Sequence, residues 1–160
     1  MMQTTYDEAI LNRIVNFINS IQIDVIPTRL NDDTFLPGLH LKGQAILMDK
    51  SKLKYPGDLL HEAGHIAVTA PQERSKIGTS EMEKSWPCMG DEIAAILWSY
   101  AALHHLNLNP DVVFHPNGYR DASNWFIEQF TSEVYMGLPL LVWMEFCDTE
   151  TFPKMKKWLR

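Results

Sequence analysis

The sequence predicts an α+β fold, in which a small sheet of about three strands packs on a mainly helical domain. Two observations support this class. Short segments in which apolar and polar residues alternate lie before residue 50, and segments with apolar residues at helical spacing precede and follow them. The 160 residues, 46% of them apolar, suffice for one folded core, so residues 1–160 are predicted to form a single domain.

The N-terminal helix and the first strand are adjacent in the sequence. Residues 5–20 place isoleucine and phenylalanine side chains three or four positions apart, with Asp7 and Glu8 in the first turn, which predicts a helix that covers the core. Residues 21–26 then alternate between isoleucine or valine and polar side chains, which predicts a strand that stops at Pro27.

Two further strands complete the predicted sheet. Residues 35–41 are broken by a Pro-Gly pair, which predicts a turn that leads into the second strand. Residues 44–49 predict the third strand. Farther along the chain, residues 71–85 are polar and are interpreted as an insertion between two helices.

The remaining predicted elements are mainly helical. Residues 87–106 are rich in alanine and leucine and predict a long buried helix, and residues 124–136 predict an amphipathic helix. Residues 140–144 are predicted to be a buried segment, either helical or extended. The basic side chains among residues 154–160 are interpreted as the solvated end of a C-terminal helix, where the helix dipole favours cations.

The most informative motif is the pentapeptide His61-Glu62-Ala63-Gly64-His65. On a helix, residues four positions apart lie on one face, so both imidazoles can bind one metal ion. Glu62 projects to the side of that face, where it suits a general base that acts on water at the metal. The motif therefore predicts two metal ligands and a catalytic base.

The context of the motif favours a buried site over a polar patch on a surface helix. Apolar residues flank it at 59–60 and 66–68, and burying two histidines and a glutamate without a partner would be costly. Gly64 costs a helix about 1 kcal/mol relative to alanine, so its presence predicts the close approach of another backbone.

A carboxylate on the next helix is predicted to be the third ligand. Glu92 lies in the first turn of the 87–106 helix and shares a face with small or apolar residues, so it points inward, where it needs a partner. Asp91 is predicted to face water or to cap the helix start. His61, His65 and Glu92 together form a set of ligands that Zn²⁺ favours.

Other residues are weaker candidates for the third ligand. A further histidine on the same segment is excluded, because Val68 and Pro71 occupy the positions where the metzincin pattern requires Gly and His. Cys88 competes as a thiolate, but it is expected to precede the first helical turn, and a lone cysteine commonly packs as a small hydrophobe. His104 and His105 lie at the far end of the long helix, too distant for the same metal.

Residues 59–65 and 92–101 resemble the small gluzincin-type metallopeptidases, with ImmA/IrrE-type proteins as the nearest subgroup. That family pairs an H-E-x-x-H helix with a downstream helix of the form E-x-x-A-x-x-aromatic-x-x-A. The positions that fit the second pattern are Glu92, Ala95, Trp98 and Ala101. The resemblance covers roughly residues 40–105.

The resemblance implies a zincin-like fold with two zinc-ligand helices. It implies that zinc is bound by His61, His65 and Glu92 and that Glu62 is the catalytic base. It also implies a strand, upstream of the first zinc helix, that pairs with an extended peptide. Residues 44–49 are the candidate for that strand.

A loop outside the matched region supplies two further candidate catalytic residues. In a zinc peptidase, a His or Tyr side chain beside the metal can donate a hydrogen bond to the developing oxyanion. His115 and Tyr119, in the loop of residues 111–120, are predicted for that role. The alternative is that residues 116–118 form a turn that only packs the loop.

Composition argues against several classes of protein. The net charge of −6 argues against a nucleic-acid-binding face, which needs clustered Lys and Arg. No run reaches the ~20 apolar residues that cross a bilayer, and the polar N-terminus does not resemble a signal peptide. A cytoplasmic protein without membrane contact is therefore expected, with Cys88 and Cys147 as free thiols.

The leading functional prediction is a zinc-dependent hydrolase, most simply a metallopeptidase that acts on a peptide or protein substrate with Zn²⁺ as cofactor. Two alternatives stay open. One is a catalytically silent zinc domain that binds peptides or partner proteins, and the other is a metal-free helical scaffold. The presence of Glu62 ranks the enzyme first, because a structural zinc site does not require a base.

Overall fold

The computed structural model describes residues 6–160 and has an α+β architecture. Within those residues the elements in chain order are α1 Glu8–Ser20, β1 Asp24–Pro27, β2 Leu39–Lys42, β3 Ala45–Met48, α2 Asp58–Val68, α3 Met89–Leu106, α4 Ser123–Thr131 and α5 Leu138–Trp143. The predicted class, with a sheet of about three strands, is confirmed. In the same range, every helix is too short or too polar to traverse a lipid bilayer.

Helix α1 begins later than the sequence predicts. Asp7 is its N-cap: the carboxylate accepts a hydrogen bond from the backbone N–H of Ala9 at 2.8 Å, so Asp7 stands before the first turn and not within it. The predicted start at residue 5 lies outside the described residues. The buried face of the helix consists of Leu11, Ile14, Phe17 and Ile18.

The three strands form a sheet in the order β1-β3-β2, with β1 parallel and β2 antiparallel to β3. Strand β1 starts at Asp24, later than the predicted residue 21, because Ile21 still caps α1 and Gln22 has a φ of 71°. That left-handed conformation interrupts an extended chain. The sheet contributes Leu39, Leu41, Ile46 and Met48 to the core.

The position of β3 makes one prediction wrong. Residues 44–49 are predicted to pair with a peptide, but β3 is the central strand, and β1 and β2 occupy its two edges. A strand that is bonded on both edges has no row of N–H and C=O groups left for a peptide. The free edge that borders the histidine helix belongs to β2.

Helices α2 and α3 pack against each other and carry the motif. A Cβ atom added to Gly64 would lie 2.9 Å from the carbonyl oxygen of Ala95 and 3.3 Å from its Cα atom. The close backbone approach predicted from this glycine is therefore confirmed. It brings the N-terminal half of α3 within reach of the two histidines.

Replacing Gly64 by alanine is expected to destabilise the protein by about 1–2 kcal/mol. The methyl group adds up to about 1 kcal/mol of helix propensity, but forcing α2 and α3 apart costs about 1–3 kcal/mol. The backbone of Ala95 cannot yield without moving α3. Thermal unfolding measures the change.

The matched control is Gly90→Ala in α3, where a new Cβ would meet only the sulfur of Cys88 at 3.8 Å. This variant adds helix propensity without a clash, so its stability is expected to equal or exceed that of the wild type. A Gly64→Ala protein as stable as Gly90→Ala would contradict the tight packing of the two helices.

The C-terminal helices differ from the prediction in length and type. Helix α4 ends at Thr131 and does not reach the predicted residue 136, because Glu133 has a φ of 62° and turns the chain away. Residues 140–144, for which helical and extended structures were both open, belong mainly to α5 and its C-cap. Gly137 is the N-cap of α5, which begins at the next residue.

The basic C-terminal segment is not the helix end that the sequence predicts. Residues 154–160 are irregular. The Trp158 ring packs edge-on against Phe17 at 5.0 Å and Trp98 at 5.5 Å, and Arg160 donates hydrogen bonds to the carbonyl groups of the last two residues of α2. Packing of the half-buried aromatic ring and capping of α2 determine the conformation of this segment, because both attach it to the core. The basic charges, on which the prediction of a helix end rested, do not determine it.

Residues 71–85, predicted to be an insertion, join α2 to α3 with one short 3-10 turn at Arg74–Lys76. The Arg74 guanidinium donates to the carbonyl oxygen of Thr69 at 3.3 Å and to the side-chain oxygen of Gln44 at 3.1 Å. The segment is thus attached both to α2 and to the sheet.

Candidate metal centre

Three potential ligand atoms from α2 and α3 converge on one point. The Nε2 atoms of His61 and His65 are 3.0 Å apart. One carboxylate oxygen of Glu92 lies 2.9 Å from Nε2 of His65, and the other lies 3.7 Å from Nε2 of His61. The structure thus brings together the three residues that the sequence predicts as metal ligands.

The separations between these atoms fit a zinc ion. Zinc ligands lie about 2.0–2.1 Å from the ion, so two ligand atoms of a tetrahedral site are about 3.3–3.4 Å apart. The observed separations of 2.9, 3.0 and 3.7 Å bracket that value. Two imidazole nitrogens and one carboxylate also leave a fourth position for water or substrate. The donor set therefore suits Zn²⁺.

Asp91 and Cys88 lie at the start of α3, close to Glu92 but outside the converging group. Cys88 is the N-cap, and its backbone N–H donates to the Asp91 carboxylate at 2.9 Å, which forms a capping box. Asp91 therefore caps the helix start, one of the two positions expected for it. Cys88 is exposed and does not belong to the converging group, which consists of His61, His65 and Glu92.

The charges of the cluster complement one another. Burial would raise the pKa of Glu92, but its hydrogen bond to His65 and the charges of both histidines lower it overall. Burial would lower the pKa of His65, but its contacts with Glu92 and the charge of Glu62 raise it overall. Burial, reinforced by His65 and opposed by Glu92, lowers the pKa of His61 to about 3. His61 is therefore a neutral imidazole at neutral pH, the form that binds metals.

Glu62 lies beside the converging atoms and is not one of them. Burial raises the pKa of its carboxyl group to about 7; the charge of His65 opposes this rise, and those of Asp58 and Glu92 add to it. A carboxyl group with a pKa near neutrality can both accept and return a proton. Glu62 also lines a cleft together with His65, so a ligand in that cleft can reach it.

Two clefts meet at the site. The larger, of about 980 Å³, is lined by His61 and by the loop that contains Tyr119. The smaller, of about 310 Å³, is lined by Glu62 and by strand β2. Glu92 and Phe35 line both clefts. The Phe35 side chain is 93% exposed, so an apolar ring stands at the junction where it can contact a bound ligand.

His115 does not occupy the position predicted for an oxyanion donor. Its Nε2 atom forms a hydrogen bond with the Asp58 carboxylate at 2.9 Å, and its ring stacks on Tyr55 at 3.8 Å. Its Nδ1 atom is buried and has no hydrogen-bond partner among residues 6–160. Because neither nitrogen is available to a substrate, His115 attaches its loop to the N-terminus of α2, and the predicted role is corrected accordingly.

Tyr119 is also not positioned as an oxyanion donor. Its hydroxyl group lies 3.0 Å from Nδ1 of His61. Because Nδ1 and Nε2 lie on opposite sides of the imidazole ring, the hydroxyl group contacts the side of His61 that faces away from His65 and Glu92. Burial is the main cause that raises the pKa of Tyr119 well above its usual value, so the side chain is a neutral phenol at neutral pH. The predicted catalytic role is corrected.

Two residues at the site were not found from the sequence. Asp58 lies three residues before His61 and four before Glu62 on α2, so the helical spacing that links the motif residues could have revealed it. Phe35 lies in an irregular loop before β2. No periodicity marks that position, and only the fold brings its ring to the site.

Comparison with family models, with curated proteins and with solved structures finds no match for this chain. The resemblance to gluzincin-type peptidases thus rests on the motif residues of α2 and α3, and it stays a prediction. The chemistry of the site must be argued from its own geometry.

Proposed function

We propose that this protein is a zinc-dependent hydrolase, most simply a metallopeptidase with a zincin-like fold that resembles ImmA/IrrE-type proteins. The observation that carries the proposal is the convergence of His61, His65 and Glu92 from two packed helices at separations that suit zinc. Glu62 lies next to this point in an open cleft. A site that only stabilised the fold would need neither the carboxyl group nor the cleft.

Glu62 carries the proton transfers of the proposed reaction. When bound, Zn²⁺ would supply a Lewis acid that polarises the substrate carbonyl and acidifies water. His61, His65 and Glu92 would hold the ion. Glu62 accepts a proton from the attacking water molecule while the oxygen of that water bonds to the carbonyl carbon. Glu62 then returns the proton to the amine that leaves when the C–N bond breaks.

Strand β2 offers a place for an extended substrate. The backbone N–H of Asp49 donates to the carbonyl oxygen of Gly38 at 2.8 Å, and hydrogen-bonded pairs alternate along an antiparallel ladder. Leu39 and Leu41 therefore direct their backbone groups to the outer edge, where the Leu39 N–H already donates to the carbonyl oxygen of Leu36 at 3.2 Å. Both line the smaller cleft with Glu62. A peptide bonded to the Leu39 carbonyl and the Leu41 N–H would place its backbone next to that base.

One observation favours a second candidate, a catalytically silent zinc domain that binds peptides or partner proteins. Neither His115 nor Tyr119 presents a hydrogen-bond donor to the cleft, because each is bonded within the protein. An efficient peptidase stabilises the developing oxyanion with such a donor. In a binding domain, the edge of β2 and the clefts would hold a peptide without cleaving it.

Zinc content and peptide cleavage test the two candidates together. Purified protein with one equivalent of Zn²⁺ is incubated with a mixture of unstructured peptides, and fragments are identified by mass spectrometry. Cleavage that stops with a chelator and returns with zinc supports the peptidase. Bound zinc without cleavage favours the binding domain. Failure to bind zinc stoichiometrically rejects both and leaves the metal-free scaffold.

A further inference from the structure

Tyr119 contacts the outer side of a metal-ligand candidate. Its hydroxyl oxygen lies 3.0 Å from Nδ1 of His61, and the two rings meet edge to face at 5.4 Å. Phe114 and Phe126 pack against the phenol ring at 5.3 and 5.4 Å. Apolar contacts thus hold the ring in place while the hydroxyl group lies against His61, with the Ser99 side chain also within hydrogen-bonding range.

The contact fits the tautomer of His61 that can bind a metal. A neutral imidazole carries its proton on one ring nitrogen and a lone pair on the other. For Nε2 to face the metal, the proton must be on Nδ1, and a buried N–H group needs an acceptor. The hydroxyl oxygen of Tyr119, 3.0 Å from Nδ1, lies where that acceptor is needed. A partner at the outer nitrogen also fixes the orientation of the ring.

The two histidines differ in this respect. Within residues 6–160, Nδ1 of His65 is buried and has no hydrogen-bond partner. Of the two outer nitrogens, only that of His61 therefore has a hydrogen-bond partner among these residues, and the partner is the Tyr119 hydroxyl group. Losing it would leave the outer nitrogen of His61 without a partner, as that of His65 already is.

The backbone that delivers Tyr119 is strained. Tyr119, Arg120 and Asp121 have φ angles of 55°, 50° and 69°. Consecutive residues other than glycine rarely adopt this left-handed region, because the Cβ atom crowds the following carbonyl oxygen. Strained backbone persists where surrounding contacts hold it, and it is concentrated at functional sites. Here the strained turn begins at the residue that touches the metal ligand.

We propose that Tyr119 is a positioning residue that fixes the tautomer and orientation of His61 and thereby strengthens metal binding. The inference rests on the metal centre of the proposed function but does not depend on hydrolysis. It needs no chemical step, since the phenol only accepts a hydrogen bond. Removing the hydroxyl group in Tyr119→Phe is expected to weaken zinc binding about 10- to 100-fold.

Zinc affinity of the full chain, measured by competition with a chromogenic chelator, tests this effect. Tyr135→Phe, which removes the hydroxyl group of a half-buried tyrosine outside the site, is the matched control and is expected to bind zinc like the wild type. Tyr119→Phe binding within about twofold of the wild type overturns the proposal, and so does an equal loss in the control. A wild type that binds zinc but cleaves no peptide rejects the enzyme alone.

The deciding result of a second measurement comes from the wild type alone, so it does not depend on how the variant folds. Long-range nitrogen–proton NMR spectra of the metal-free wild type identify which ring nitrogen of each histidine carries the proton. The proton of His61 is expected on Nδ1, and in Tyr119→Phe it is expected to shift toward Nε2. A wild-type His61 with its proton on Nε2 overturns the proposal.

Discussion

Replacing Glu62 by glutamine is expected to reduce peptide hydrolysis about 100- to 10,000-fold while zinc stays bound. Glutamine keeps the size of the side chain but cannot accept a proton from water at neutral pH. Because Glu62 is not one of the converging ligand atoms, the zinc content is expected to equal that of the wild type. The measurements are kcat/KM on a peptide that the wild type cleaves and metal content by mass spectrometry.

The Glu62→Gln protein is also expected to be at least as stable as the wild type, because a neutral amide replaces a carboxyl group whose charged form is penalised by burial. A loss of activity can therefore not be ascribed to unfolding. Glu128→Gln, on the exposed side of α4, is the control for the change from carboxylate to amide. It is expected to alter neither peptide hydrolysis nor zinc content. Unchanged hydrolysis in Glu62→Gln would reject Glu62 as the base.

Replacing Glu92 by alanine is expected to remove most of the stabilisation that zinc confers. Free zinc at 1,000 times its Kd raises the free energy of unfolding of the wild type by about 4.1 kcal/mol. Losing a group that only supports a ligand weakens binding about 10- to 100-fold, so losing a ligand is expected to cost at least about 100-fold. At the same zinc concentration, zinc then raises the free energy of unfolding of the variant by about 1.4 kcal/mol or less.

This difference corresponds to a zinc-induced rise in Tm that is about 5–10 °C smaller in Glu92→Ala than in the wild type. Asp91→Ala is the matched control from the same turn of α3. It loses the capping box and is expected to be about 1 kcal/mol less stable with or without zinc, but its zinc-induced rise is expected to match that of the wild type. A full rise in Glu92→Ala would show that its carboxylate does not bind the metal.

The helix pair that carries the site could be predicted because its pattern is local. The spacing of His61 and His65 places them on one face of a helix, whatever surrounds it. The missing side chain of Gly64 indicates a close neighbour, and the inward face of the next helix indicates that Glu92 needs a partner. The structure brings these residues together, since helical periodicity specifies which side chains of one helix share a face. The packing of α2 on α3 sets the distance to Glu92, whose side chain is 40% exposed and so is less inward than expected.

The sheet order and the surroundings of the site could not be predicted in the same way. Alternation in β3 indicates that it is a strand but not that it lies between β1 and β2, because strand order depends on contacts between segments far apart in the chain. His115 and Tyr119 have the side chains that an oxyanion donor needs. Their hydrogen bonds to Asp58 and His61 depend on how the loop folds onto α2.

By itself, the sequence determined the composition of the candidate metal centre: two imidazoles one helical turn apart, a carboxyl group between them in the chain, and a carboxylate on the next helix. Only the tertiary structure decided which strand has the free edge and that the tyrosine of the loop stands behind a histidine. The reason is physical. A repeat of 3.6 residues is a property of the local backbone, whereas the orientation of a loop side chain depends on its packing against distant elements.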